Sequence, residues 1–122
     1  MNEVLRRRPR DYVLNVLVPA NGAIEGNISI RTNGDFEWVW LIGSRTDPRV
    51  TVQVEDGSVG GGELLSNLPI NIDNFIGTAA LPFPLVEPYI MPKSSVLSFR
   101  FRDNGFAAPN TIQLVLRGYE LY

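Results

Sequence analysis

Leu97-Ser98-Phe99-Arg100-Phe101-Arg102, then Asn104-Gly105, then Ile112-Gln113-Leu114-Val115-Leu116-Arg117 is the stretch whose reading decides the fold. Successive side chains on an extended strand point to opposite faces. Leu97, Phe99 and Phe101 therefore share one face, with Ser98, Arg100 and Arg102 on the other. Ile112, Leu114 and Leu116 repeat the pattern against Gln113, Val115 and Arg117. A helix would need an apolar period of three to four residues sustained along the segment, and no window holds one. Asn-Gly between two such runs supplies the positive-φ residues that a tight turn needs.

Outward from this stretch the same grammar continues. Ile24, Gly26, Ile28 and Ile30 alternate with polar residues, as do Val50, Val52 and Val54. Phe36, Trp38, Trp40 and Ile42 are expected on one face of another strand. Residues 12–18 are apolar almost throughout and read as a strand buried on most sides. Asn21-Gly22, Asn33-Gly34 and Asp56-Gly57 add three more hairpin signals. Such alternations with closely spaced turns describe an all-β, antiparallel sandwich or barrel. Glu63–Leu68 is the best helical window and is too short to stand alone. Ile70, Ile72 and Phe75 suggest one further short strand.

Two segments depart from the pattern. Pro82, Pro84, Pro88 and Pro92 lie close together, and proline lacks the N–H that a central strand donates. That stretch is expected as an extended connector or a sheet edge. Residues 1–10 carry four Arg and one Glu, whereas residues 11–122 have a net charge of −5. Residues 1–10 are expected as a short basic N-terminal arm, mobile unless bound, ahead of a single domain over 11–122.

The 122 residues contain no His, no Cys and one Lys, Lys93. A disulfide frame, a thiolate nucleophile, a Cys/His zinc site and a Ser-His-Asp triad are thereby excluded. Asp35 and Glu37 are two apart and would share a strand face, but no partner set for acid–base chemistry accompanies them. Asp47, Asp56 and Asp73 are scattered and form no calcium loop. Gly60-Gly61-Gly62 lacks the Lys and the helix of a phosphate loop. The expectation is a non-enzyme without cofactor or metal.

An acidic body is a poor platform for nucleic acid. No apolar run approaches the ~18 residues of a membrane span, and residues 1–10 have no secretory h-region. The absence of Cys fits synthesis in a reducing cytoplasm. Ten of the eleven basic residues are Arg. Arg is favoured at protein interfaces because its planar fork pairs bidentately and stacks. Arg6, Arg7, Arg8 and Arg10 are the candidate partner-binding residues, with the 57–67 loop and the proline stretch as further candidates. Trp38 and Trp40, with Tyr12 and Tyr89, would form a sugar-stacking platform if exposed, but aromatics at period two more often point into a core.

An ordered series of short motifs carries a resemblance across residues 33–122. It runs Asn33-Gly34-Asp35-Phe36-Glu37, Val52-Gln53-Val54-Glu55-Asp56, Leu65-Ser66-Asn67-Leu68-Pro69 and Phe75-Ile76-Gly77-Thr78. It continues through Pro82-Phe83-Pro84-Leu85-Val86-Glu87-Pro88, Met91-Pro92, Ser95-Val96-Leu97-Ser98-Phe99 and Asn104 to Leu114-Val115-Leu116-Arg117-Gly118-Tyr119. This series resembles small β-sandwich virion proteins of tailed bacteriophages, of the capsid cement or decoration type. Where that family often has His before its C-terminal Gly-Tyr, this chain has Arg117. The resemblance implies a jelly-roll-like sandwich on the outer capsid surface. It implies a homo-dimer or homo-trimer that ties the major capsid protein together, without nucleic acid or membrane partners. The site of action would be the virion, after synthesis in the host cytoplasm. The alternatives are a tail, fibre or head–tail junction component, and a carbohydrate-binding module on a similar sandwich.

Overall fold

A computed structural model describes residues 6–30, 34–57, 63–64, 68–77 and 83–122. The strands are β1 (Arg7–Val18), β2 (Ala23–Ser29), β3 (Phe36–Arg45), β4 (Val50–Asp56), β5 (Glu63–Leu64), β6 (Ile70–Asn71), β7 (Phe83–Met91), β8 (Val96–Asp103) and β9 (Asn110–Leu121). A single 3-10 turn at Ile72–Asn74 follows β6. One sheet has the order β1-β9-β3-β7, and the other has β2-β8-β4-β5 with β6 also on β4. All of these strand pairings are antiparallel. The chain is an all-β sandwich.

The partners are nested. β1 pairs with β9, β2 with β8, β3 with β7 and β4 with β5. A long antiparallel ribbon rolled so that its turns stack gives this order, which is the double-sheet jelly-roll arrangement. The turn signals therefore do different work from that expected. Only Asp56-Gly57 begins a link between neighbours in one sheet, β4 and β5. Asn21-Gly22, Gly34 and Asn104-Gly105 lie where the chain crosses from one sheet to the other, and Asn33 lies outside the described residues. Asn21 has φ 54° and Gly105 φ 116°, so the turn chemistry is real while its partner strand is distant.

The core lies between the sheets. Phe36, Leu41, Met91, Ile112, Leu114 and Leu116 enter from one side, and Val50, Val52, Leu97, Phe99 and Phe101 from the other. Tyr12 meets Phe36 edge-on at 4.8 Å, and Trp38 meets Tyr89 edge-on at 6.5 Å. Burying each large side chain stabilises the fold by roughly 1.5–3 kcal/mol.

Three expectations are corrected. First, β1 is not buried on most sides: Val13 is 51% and Leu17 54% exposed. It is an edge strand, so only its inner face meets the core. Second, β3 has a register shift between Trp38 and Trp40. The extra residue moves Trp40 to a half-exposed position and turns Leu41, 2% exposed, into the core. Third, residues 7–10 are not an arm. They form the start of β1, paired with Leu121 to Gly118 of β9. Residues 1–5 lie outside the described residues.

In the proline stretch Pro84 and Pro88 lie on the edge strand β7, as expected of residues that lack a ladder N–H; Pro92 follows the strand and Pro82 lies outside the described residues. Residues 60–62 and 65–67 lie outside the described residues. Residues 63–64 are a strand rather than the start of a helix. Of the short strand expected over Ile70, Ile72 and Phe75, only Ile70–Asn71 forms; Ile72 begins the 3-10 turn and Phe75 follows it.

Loops joining the sheets are tied by buried polar groups. Asn110 is 1% exposed. Its Oδ1 accepts from the backbone N–H of Thr46 (3.0 Å) and Asp47 (3.2 Å), and its Nδ2 donates to the Asp47 carbonyl (2.9 Å). Asn110→Ala would remove all three bonds at once; the Thr46 N–H keeps the Thr111 carbonyl (3.1 Å), while the Asp47 N–H and carbonyl lose their tie to β9. The expected cost is about 2 kcal/mol in urea unfolding, with an unchanged m-value.

Candidate functional site

The strand that begins with the basic cluster pairs antiparallel with the strand that ends in Tyr119 and Tyr122. The arginines and tyrosines therefore meet at one end of the sheet. The Arg6 N–H donates to the Tyr122 carbonyl (2.8 Å), and the Tyr122 N–H donates back to Arg6 (3.0 Å). The Arg8 guanidinium lies 4.5 Å from the Tyr122 ring, Arg10 5.0 Å from Tyr12 and Arg7 5.8 Å from Tyr119. Arg7 also reaches the Glu37 carboxylate at 3.3 Å. Glu37 is buried beneath it.

Each exposed cation–ring contact contributes about 0.5–1 kcal/mol. The larger consequence is geometric. A guanidinium lying on a ring has its planar face occupied and its N–H edge available to a carboxylate or phosphate. Of the four predicted partner-binding arginines, Arg7, Arg8 and Arg10 thus lie on a paired strand, and Arg6 is bonded to Tyr122 immediately before it.

The other candidates do not converge. Asp35 precedes β3 and accepts from the Lys93 N–H at 3.1 Å, apart from the Arg7–Glu37 pair. Glu55 pairs with Arg100 at 2.7 Å. Asp56 is buried and accepts from the Tyr89 hydroxyl, linking the two sheets. Asp73 is bound by Arg45 and Asp47 by Arg49, and these side-chain bonds hold both carboxyls below the usual range. The same bonds, and that of Asp11 to Arg117, raise Arg45, Arg49 and Arg117. Among the described residues no group of three or more His, Cys, Asp or Glu is placed to hold a metal, and no helix is long and apolar enough to cross a membrane.

Family models, curated proteins and solved structures gave no match to this chain.

The described arginines therefore show two kinds of contact, and Arg7 and Arg49 make both. Arg7, Arg45, Arg49, Arg100 and Arg117 pair with carboxylates of the same chain. Arg8 and Arg10 rest on rings. Composition could not separate these classes, because a carboxylate partner distant in sequence leaves no local signal. The Arg-Tyr cluster did carry one. Alternating Arg at one end of the chain and Tyr at the other become neighbours if the first and last strands pair.

Proposed function

We propose that this chain is a structural protein of a tailed-bacteriophage virion, a cement or decoration protein that binds the outer capsid surface and stabilises the lattice as a homo-oligomer. Inside the structure the supporting observation is the Arg7–Arg10 edge, where ring-backed guanidiniums face outward from a jelly-roll sandwich. The motif series over residues 33–122 supports the same role. The partner surface is an acidic patch of the major capsid protein, and no catalytic step is involved.

A carbohydrate-binding reading loses support at Trp38. That residue is 4% exposed, and its ring N–H donates to the Trp40 carbonyl at 2.9 Å. The two tryptophans therefore present no common stacking surface.

Purified protein should bind capsids lacking it and raise their disruption temperature. Arg8→Gln with Arg10→Gln should weaken binding by at least tenfold, since charge-assisted contacts contribute about 1.5–3 kcal/mol each. Added salt should weaken it further. Failure of the unmodified protein to bind would overturn the proposal. Copy number in purified particles separates the lattice from the tail: lattice-scale abundance supports cement, and a handful of copies supports a tail, fibre or junction part.

A further inference from the structure

We infer that the free edge of β1 is the self-association site of this protein, where a second copy pairs antiparallel across a two-fold axis at Asn15. This deepens the homo-oligomer part of the proposed function but concerns the protein in the absence of capsids.

The β1–β9 register fixes which groups are available. Arg6 and Tyr122 exchange both backbone bonds. Pairs alternate along an antiparallel ladder, so Arg8, Arg10, Tyr12, Leu14, Val16 and Val18 also bond β9. The N–H and C=O groups of Asp11, Val13, Asn15 and Leu17 then point away from β9. β1 ends its sheet, and among the described residues no strand pairs with that side. β2 lies beneath rather than beside it: a Cβ on Gly26 would sit 2.9 Å from Val16 Cγ1 and 3.0 Å from a Leu14 methyl.

Natural sheets protect open edges with proline, charge or shortness. β7 has Pro84 and Pro88, β5 is two residues long, and β2 exposes Glu25. On β1 such protection is confined to the first part of the strand, with Arg7, Arg8, Pro9, Arg10 and Asp11. From Val13 to Leu17 the edge is unprotected, and it exposes Val13 at 51% and Leu17 at 54%.

The edge is complementary to itself in one register. A two-fold axis at Asn15 sets Val13 opposite Leu17 of the second copy, Leu17 opposite Val13 of the second copy, and Asn15 opposite its own equivalent. About six main-chain hydrogen bonds then form, and the exposed apolar side chains meet as cross-strand pairs. An axis at Val13 would instead put Pro9 opposite Leu17 of the second copy, and the two Val13–Leu17 apolar pairs would be lost. Charge points the same way. With the axis at Asn15, the two basic strand starts lie at opposite ends of the ladder. Each is carried past Val18 toward the acidic body of the other copy, whose residues 11–122 have a net charge of −5.

Sedimentation of the purified full chain should show twice the monomer mass. Val13→Lys with Leu17→Lys should raise the dimer dissociation constant on the order of 100-fold, with an unchanged circular dichroism spectrum. The chain has no Cys, so Asn15→Cys introduces a single thiol. A short thiol-to-thiol cross-linker should join two Asn15→Cys copies, whereas Asn27→Cys on β2 should stay unlinked. A monomeric wild type, a dimer that survives the double substitution, or linking at position 27 but not 15 would each overturn the inference. Capsid binding by a monomeric wild type would do so while leaving the cement reading intact.

Discussion

Gly118→Ala is expected to cost at least about 4 kcal/mol, a large fraction of the 5–15 kcal/mol that holds a domain of this size together. A Cβ on Gly118 would lie 1.8 Å from the Glu37 carbonyl oxygen and 3.2 Å from the Trp38 Cα. The obstacle is backbone, so no rotamer change relieves it. Gly118 sits on β9, bonded to β1 through Arg10 and facing β3 at Trp38, where the register shift begins. Moving β9 aside would disrupt two ladders together. Overpacking in a deformable core costs 1–3 kcal/mol, and a rigid three-strand junction is the setting in which it exceeds that range. Gly105→Ala provides the contrast. Its φ of +116° disfavours a side chain, but a Cβ there would have nothing within 4 Å. A loss of about 1–2 kcal/mol is expected at Gly105. Urea unfolding of both variants checks the order, and equal midpoints would refute it.

How far the fold was legible depends on which interactions are local. The alternations at Val50–Val54, Leu97–Phe101 and Ile112–Leu116 are all found, because face selection needs only period two. Their continuations are charged residues. Asp56 follows Val54, Asp103 follows Phe101 and Glu120 follows Gly118 on the same inward face, and all three are buried. The period placed them inside, while their charge suggested solvent. The partners that reconcile the two, such as Tyr89 for Asp56 and the Asn21 N–H for Asp103, are distant in sequence. The shift at Trp38–Trp40 was hidden for a related reason, since an extra residue leaves composition unchanged while swapping every later face.

The candidate site was legible in its residues but not in its order. Four arginines with no apolar residue alternating among them gave no reason for a strand. The reason is supplied by the far end of the chain, where Tyr119 and Tyr122 cover the guanidiniums and β9 accepts the backbone. A basic segment that looked unattached is the first part of an edge strand. Its charges are therefore already ordered, and any contact they make costs less conformational entropy than it would from a loose arm.

Asp103 should produce the second large effect, and it should depend on pH. Its carboxylate accepts from the backbone N–H of Asn21 (2.7 Å), Phe106 (2.9 Å), Ala107 (3.0 Å) and Gly105 (3.2 Å), tying the β1–β2 turn to the β8–β9 turn. The bond from Asn21 is the largest of the causes that hold this carboxyl below the ordinary aspartate value of 3.8. Because the folded pKa is depressed, the stabilisation is complete above the unfolded value and is lost as pH falls through the folded one. At pH 7, Asp103→Ala should lower the melting temperature by on the order of 10 °C, since it abandons several charge-assisted bonds at once. Asp103→Asn keeps one acceptor oxygen and should lose less. As pH falls below the ordinary value of 3.8 and on through the depressed folded value, the wild type should approach Asp103→Asn, because only below the folded value do both hold a neutral group at this position. Asp47 and Asp73, held down by Arg49 and Arg45, contribute their own acid loss equally to both proteins. The informative quantity is therefore the gap between the two melting curves. A gap that stays constant from pH 7 to pH 3 would show that the charge on Asp103 does not stabilise the fold.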